Sequence, residues 1–480
     1  MSESIWSKTV DIPGRPVLSG SLSVEAAVIG GGLAGILTAR LLQAAGVQVV
    51  VLEADRIGSG QTKNTTAKIT AQHGLIYQKL SGMGSELSAR YAAANRKAIA
   101  DYARIIAEEH IDCGFTRAPA YLYSTASPEP LRLEADAAQR AGIDAVFTTD
   151  TALPFPVKGA VKFHDQAQFH PLAFLRAVSQ PLDIYEHTRV TKVEGETLFT
   201  DRGTVTAKHI VFATHFPFLN FPGYYFLRMH QARSYVVALE HAAQLDDMYL
   251  GVDDDGLSLR TSGPYLLLGG GGHRTGEHSA GGSYQLLRDK AAKYWPGSRE
   301  AAHWSAQDCM TLDGIPYIGR FSGNRPNWYV ATGFGKWGMT SSMVSATLLT
   351  ALITGAEAQE AAVFSPQRFA SPASAKTLLQ NSLQAVKGLS RELISLPPDY
   401  AESLGCGRGG VVDYKGRKLG VYKDESGQLF AIDPRCPHLG CQLEWNPDER
   451  SWDCPCHGSR FDYRGNLLDG PAQEDLTRST

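Results

Sequence analysis

A glycine-rich turn between a buried strand and a helix most constrains how this chain can fold. Residues 25–29 form a short apolar run, the turn Gly30-Gly31-Gly32-Leu33-Ala34-Gly35 follows at once, and a helical pattern leads to a second apolar run that ends at Glu53. In such a unit the glycines allow the tight turn, the approach of the backbone to a pyrophosphate, and the packing of helix on strand. An acid about 20 residues later binds ribose hydroxyls. The pattern therefore predicts a dinucleotide-binding βαβ unit.

The composition indicates a soluble protein of several domains. The 480 residues are 43% hydrophobic and 20% charged, which excludes a disordered chain and suggests about three compact units. A net charge of -3 gives no reason to expect a nucleic acid or an anionic membrane as partner. We find no secretory signal and no apolar run long enough to span a membrane. We therefore expect a cytoplasmic protein.

Three regions differ in their patterns. Strand and helix patterns alternate up to residue 365, which is typical of α/β architecture. Residues 366–398 have prolines near both ends and one amphipathic pattern between them, so we expect a connecting arm with a helix. Residues 399–480 consist of short strand patterns separated by glycine turns, which predicts a small all-β domain.

Four segments of the first region resemble the D-amino-acid oxidase, glycine oxidase and sarcosine oxidase family of FAD enzymes. They are the glycine-rich turn with Glu53, the loop 58–74, the strand 209–215, and the segments 311–319 and 331–342. The resemblance implies a Rossmann-like FAD domain interleaved with an α+β substrate domain. We expect the FAD domain over about 22–74, 160–215 and 306–365, and the substrate domain over about 75–159 and 216–305.

The same resemblance implies which residues contact FAD. The loop 58–74 would run beneath the flavin, the backbone of Val190 would meet the adenine, and the glycines of 331–342 would lie against the ring. A helix that begins near Met339 would direct its N-terminus at the negative charge of a reduced flavin. The expected FAD-binding residues are Gly30, Gly32, Leu33, Ala34, Gly35, Glu53, Ala54, Thr65, Thr66, Ala67, Lys68, Val190, Ala213, Thr214, Gly333, Gly335, Lys336, Gly338, Met339 and Thr340.

Four metal-binding side chains lie close together near the C-terminus. Cys436 and His438 form one pair, and Cys454 and His457 form the other. Two thiolates and two imidazoles can bind zinc as a Cys₂His₂ site. They can also bind a Rieske [2Fe-2S] cluster, in which two cysteines hold one iron and two histidines hold the other.

The segment 404–476 resembles the Rieske proteins. That resemblance implies that the four residues are the cluster ligands and that Cys441 and Cys456, which a zinc site would leave unexplained, form the disulfide found in many Rieske proteins. FAD and a one-electron cluster in one chain imply oxidation of an amine-type C–N bond at the flavin, followed by stepwise transfer to an external acceptor.

Other functions remain open alternatives at this stage. One is an O₂-using amine oxidase in which the Rieske domain is structural, and another is a non-catalytic flavin and iron–sulfur electron carrier. A Rieske oxygenase is not expected, because it would need a mononuclear iron site after the cluster and few residues follow His457.

Candidate catalytic and substrate residues come from the same segments. Lys336 and Trp337 lie in the flavin loop and His73 in the loop beneath it, although a solvated lysine and a packed histidine would fit the pattern equally. Arg233 and Tyr235 lie on an apolar strand that could face the substrate. Asp308 occupies the place where related amino-acid oxidases often have an arginine, so we expect a cationic amine, unless Asp308 is merely an exposed residue at a strand end.

Overall fold

The structure is a computed structural model that describes residues 3–368, 404–414 and 416–478. Most of the expected arm, with its helix, lies outside the described residues. Within the described part of the chain, we find no helix with both the length and the hydropathy needed to cross a membrane.

The first sheet is built around the glycine-rich turn. Strand Gly20–Ile29 pairs in parallel with Val49–Leu52 on one side and with Gly203–Phe212 on the other. Val49–Leu52 is buried throughout, which accounts for its uninterrupted apolar run. The remaining strands of this sheet are Asp183–Tyr185, Val190–Glu194, Thr197–Thr200, Tyr317–Ser322 and Arg325–Thr332.

The second sheet has eight strands, most of them antiparallel to their neighbours. Their order is Arg299–Thr311, Met229–Glu240, Tyr265–Arg274, Ser258–Ser262, Met248–Gly251, Ala120–Ser124, Gly159–Phe163 and Ala145–Thr148. The domain boundaries that we expected at residues 160 and 306 both fall inside strands of this sheet. A long strand of one sheet can pass from one domain into the next, so the limits at about 160 and 306 stay a prediction. The other domain limits remain an interpretation.

Helices cover both sheets. The helix Leu33–Ala44 follows the glycine-rich turn and packs against Gly338–Thr354, which is apolar on nearly all sides because it is buried in the core. The remaining helices are Ile5–Thr9, the 3₁₀ helix Gln61–Asn64, Ile76–Ser81, Ser85–Glu108, Glu129–Arg140, Pro171–Ser179, Tyr225–Arg228, Ser283–Tyr294 and Ala361–Phe364. Three short strands, Lys68–Ile69, Ala167–Gln168 and Thr116–Arg117, form a separate small sheet.

The C-terminal unit contains two small antiparallel sheets among its described residues. One consists of Gly409–Tyr414, Arg417–Lys423 and Leu429–Ile432, and the other of Glu444–Asn446, Ser451–Asp453, Arg460–Asp462 and Leu467–Asp469. Their core contains Trp445 and Trp452 together with the cysteines of the predicted cluster site. An α/β body with a mixed second sheet and a small all-β unit confirms the predicted fold class.

Candidate functional site

The glycine-rich turn has no room for side chains at two of its glycines. A Cβ atom at Gly30, whose φ is 110°, would lie 2.5 Å from the carbonyl oxygen of Ala213, and one at Gly35 would lie 1.9 Å from the carbonyl oxygen of Gly30. This close packing brings the start of the helix Leu33–Ala44 against the ends of two strands. A helix N-terminus in that position can bind phosphate through its free amides.

Glu53 is held at the edge of the turn by two backbone amides. Its Oε2 accepts a hydrogen bond of 2.6 Å from the amide of Gly31, and its Oε1 accepts one of 2.8 Å from Asp55. Burial raises the pKa of Glu53, and the two amides oppose that shift. The fixed carboxylate lines the cavity, and its predicted role as a ribose acceptor stays a prediction.

A single large cavity connects the turn to the C-terminal glycine loop. Its volume is about 860 Å³, within the range of small-molecule and cofactor sites. The expected FAD-binding residues that line it are Gly30, Gly32, Leu33, Ala34, Glu53, Ala54, Thr65, Thr66, Lys68, Val190, Ala213, Thr214, Gly335, Lys336, Gly338 and Met339. The other four, Gly35, Ala67, Gly333 and Thr340, do not line it. The close packing at the glycine-rich turn and the size of the cavity fit a bound dinucleotide.

Two of the three catalytic candidates face this cavity. Lys336 and Trp337 line it, whereas His73 lies behind and stacks on the Trp337 ring at a centroid distance of 4.8 Å. The His73 Nε2 donates to the carbonyl oxygen of Thr70 at 2.7 Å, and its Nδ1 accepts from the hydroxyl of Tyr91 at 2.6 Å. Burial lowers the pKa of His73 to about 3. The contacts give His73 a packing role against Trp337.

The three substrate candidates also line the cavity, but one of them is already paired. Arg233 forms an ion pair of 3.1 Å with Glu449 and donates to Gln307 Oε1 at 3.0 Å. Its charge is therefore compensated from within the protein. Tyr235 contacts His273 through its hydroxyl. Burial raises the pKa of Asp308 to about 6, while Lys336 and Arg233 oppose that shift.

The predicted cluster residues come together in the C-terminal unit. The imidazole rings of His438 and His457 lie 4.9 Å apart, and the Nδ1 atom of each is buried without a hydrogen-bond partner among the described residues. The Nε2 of His438 donates to Asn220 Oδ1 at 2.7 Å, which leaves Nδ1 as its metal-binding nitrogen. Cys436 and Cys454 are buried free thiols.

A disulfide joins the two loops that carry these ligands. It links Cys441 and Cys456, the pair implied by the Rieske resemblance. The sulfur atoms of these two residues lie within 4.8 Å of Cys454, but only the Cys454 thiol is free to bind iron. Two free thiols and two orphaned imidazole nitrogens fit a [2Fe-2S] cluster with mixed ligands.

Sequence reasoning missed the residues that join the C-terminal unit to the body. Residues 467–473 of that unit form part of the cavity wall. Gln231 and Gln307, on neighbouring strands of the second sheet, donate hydrogen bonds of 2.7 Å to the carbonyl oxygens of His457 and Gly458 respectively. No local motif marks either glutamine, because each bond joins residues far apart in the sequence.

Comparisons with known proteins agree with the two groups of motifs. The family model described as FAD dependent oxidoreductase matches residues 25–352, and the model described as Rieske [2Fe-2S] domain matches residues 399–479. YhfW of Bacillus subtilis (strain 168), which is named as a Rieske 2Fe-2S iron-sulfur protein, is 36% identical over 493 residues. That alignment covers 99% of this chain and 97% of YhfW.

Two solved structures share the fold of the body. Glycine oxidase from Geobacillus kaustophilus has a TM-score of 0.62 and 21% identity, and it covers 73% of this chain and 100% of its own. L-proline dehydrogenase from P. horikoshii has a TM-score of 0.61 and 16% identity, with coverage of 73% and 98%. At these identities the likeness concerns the fold alone.

Proposed function

Because the chain belongs to the family of FAD-dependent oxidoreductases and carries a C-terminal Rieske [2Fe-2S] domain, we propose that it oxidises the C–N unit of an amine or amino-acid-like substrate and passes the electrons singly to an external acceptor. The family confirms the expected enzyme class and FAD, and the Rieske domain confirms the expected cluster. When bound, FAD accepts two electrons as hydride and the cluster carries one at a time.

One observation carries the proposed electron path. The cavity that starts at the glycine-rich turn is closed on another side by residues 467–473 of the Rieske domain. A cofactor in this cavity would therefore lie against the domain that holds the cluster. Oxidation of a CH–NH unit to an imine releases two electrons and two protons, so two molecules of a one-electron acceptor balance each turnover.

The charges around the cavity support an amine substrate. Asp308 is a cavity acid whose carboxylate can bind a cationic amine, while Arg233 is already engaged by Glu449. An arginine with an internal partner is a poor anchor for a substrate carboxylate. The names of the fold relatives, glycine oxidase and L-proline dehydrogenase, are in keeping with a substrate that contains a C–N bond.

Anaerobic mixing of the holoprotein with a panel of amines and amino acids tests the proposal. We expect flavin bleaching followed by the EPR signal of the reduced cluster. Bleaching without cluster reduction, together with stoichiometric peroxide in air, would instead identify an oxidase with a structural Rieske domain. Cluster reduction by a partner protein, with no substrate able to bleach the flavin, would identify an electron carrier.

A further inference from the structure

Two buried glutamines connect the wall of the cavity to the cluster loop. Gln307 lies on Arg299–Thr311 and lines the cavity, and Gln231 lies on the adjacent strand Met229–Glu240. Each residue is only 1% exposed. Their side chains meet, because Gln307 Nε2 donates to Gln231 Oε1 at 2.7 Å. They form one continuous amide pair beneath the Rieske domain.

Every N–H of the two side-chain amides is directed to a named acceptor. Besides their bonds to His457 and Gly458, Gln231 Nε2 donates to the carbonyl oxygen of Gly470 at 2.9 Å, and Gln307 Oε1 accepts from Arg233. A buried amide that loses such a partner still pays the free-energy cost of its removal from water. Rotating either side chain away from its partners is therefore unfavourable. The pair therefore has one defined orientation.

The backbone of the cluster loop is shaped to accept this pair. Gly458 has a φ of 82°, and a Cβ atom there would lie 2.5 Å from the Cβ of Gln231. Only glycine combines that conformation with so close an approach. His457, one of the cluster ligands, immediately precedes it. The amide pair thus fixes the backbone at a cluster ligand relative to the cavity wall.

We propose that Gln231 and Gln307 are positioning residues for electron transfer, holding the cluster site at a fixed separation from the flavin cavity. This inference rests on the proposed function. Each transfer oxidises the reduced flavin by one electron and reduces the cluster by one electron. The external acceptor must reoxidise the cluster before the second electron can follow. A fixed separation lets both transfers occur without movement of the Rieske domain.

The test uses the full-length holoprotein with Gln231→Met, Gln307→Met and both substitutions combined. Methionine keeps the length of the side chain but removes every hydrogen bond of the amide. Gln285→Met is the matched control, since Gln285 is exposed and its amide donates to Asp289 on its own helix. Rapid photoreduction of the flavin, followed by the appearance of the cluster's EPR signal, gives the internal transfer rate without requiring a known substrate.

We expect the double variant to transfer electrons at least about 10-fold more slowly, in line with other changes to groups that support a metal ligand. Amide hydrogen exchange in residues 454–459 should increase, while flavin content and the EPR g-values of the reduced cluster stay as in the unaltered protein. If Gln307→Met does not retain both cofactors, Gln307→Glu, which keeps the shape and the bond to Arg233, replaces it.

An unaltered transfer rate and unaltered hydrogen exchange in the double variant would overturn the positioning role while leaving the proposed function intact. Failure of the unaltered protein to transfer electrons from flavin to cluster would instead overturn the proposed function and this inference together. Slowed transfer in Gln285→Met would also overturn the inference, because it would show that loss of any glutamine has this effect.

Discussion

At Gly35 the glycine-rich turn tolerates no side chain. Because a Cβ atom there would collide with the carbonyl oxygen of Gly30, we expect Gly35→Ala to cost about 1–3 kcal/mol of unfolding free energy through overpacking. The strand and helix would separate, and the purified protein should contain less FAD. Flavin absorbance per chain measures this loss. Gly323→Ala is the control, since no atom lies within 4 Å of a Cβ at Gly323, and an equal loss in both variants would contradict the explanation.

Asp308 should make binding of a cationic amine depend on pH. Its pKa of about 6 means that the carboxyl is mostly protonated below pH 6 and ionised above it. The affinity for a cationic amine should therefore rise as the pH increases through about 6. A charged hydrogen bond contributes about 1.5–3 kcal/mol, so Asp308→Asn should weaken binding by at least about 10-fold at neutral pH.

The flavin difference spectrum during amine titrations measures this affinity. The pH dependence near 6 should vanish in Asp308→Asn and persist in Asp136→Asn, since Asp136 is an exposed residue on the helix Glu129–Arg140. Equal amine affinity at pH 5 and pH 7 in the unaltered protein would contradict the role of Asp308.

At the scale of loops, the disulfide between Cys441 and Cys456 should stabilise the cluster site. It closes a loop with a sequence separation of 15, for which chain entropy predicts about 3 kcal/mol. We expect Cys441→Ser combined with Cys456→Ser to lower the urea midpoint of the Rieske domain and to release iron faster. Cys406→Ser, at an exposed free thiol, should change neither. Unchanged iron release in the double variant would contradict a clamping role.

The elements differ in how well the sequence predicts them. The glycine-rich turn is one contiguous motif, and the predicted cluster ligands lie in two short motifs. Both are therefore visible in the local sequence. The expected boundaries near residues 160 and 306 fall within strands of the second sheet, since strand periodicity does not reveal which sheet a strand joins. The bond from Gln231 to His457 spans 226 residues, and no periodicity records such a contact.

The predicted site residues illustrate the same limit. Arg233 lines the cavity, as a substrate ligand would, but it is paired with Glu449 of another domain. His73 lies beside the flavin loop as expected, yet Trp337 stands between it and the cavity. Local sequence predicts both residues, whereas their roles depend on what the tertiary structure places next to them.

In the whole molecule, the Rieske domain is docked on the body through charged groups. Asp448 accepts hydrogen bonds of 2.9 Å from the amides of Gly282 and Ser283, at the N-terminus of the helix Ser283–Tyr294. A carboxylate in that position stabilises amides that have no partner within the helix. One domain therefore caps a helix of the other, which favours a fixed arrangement over a freely moving domain.

The neighbouring Glu449 gives the strongest test of this arrangement. It contacts Arg233, Ser305 and Tyr284 of the body. Burial opposes ionisation of Glu449, but the guanidinium groups of Arg233 and Arg460 outweigh it and lower the pKa of Glu449 below its ordinary value of 4.5. Glu449→Gln leaves Arg233 buried without a full counter-charge. Breaking such a pair costs about 3–5 kcal/mol, so we expect a lower unfolding free energy.

The pH dependence of that loss separates a charge effect from simple repacking. Because the folded pKa of Glu449 lies below its unfolded value, its ionisation stabilises the docked protein fully above pH 4.5, and the stabilisation is lost as the pH falls further. The difference in unfolding free energy between the unaltered protein and Glu449→Gln should therefore be largest at neutral pH and should narrow in acid. Urea unfolding at several pH values measures it, with the exposed Glu474→Gln as the matched control. A difference that stays constant with pH would mean that Glu449 holds the two domains together through its shape and not through its charge.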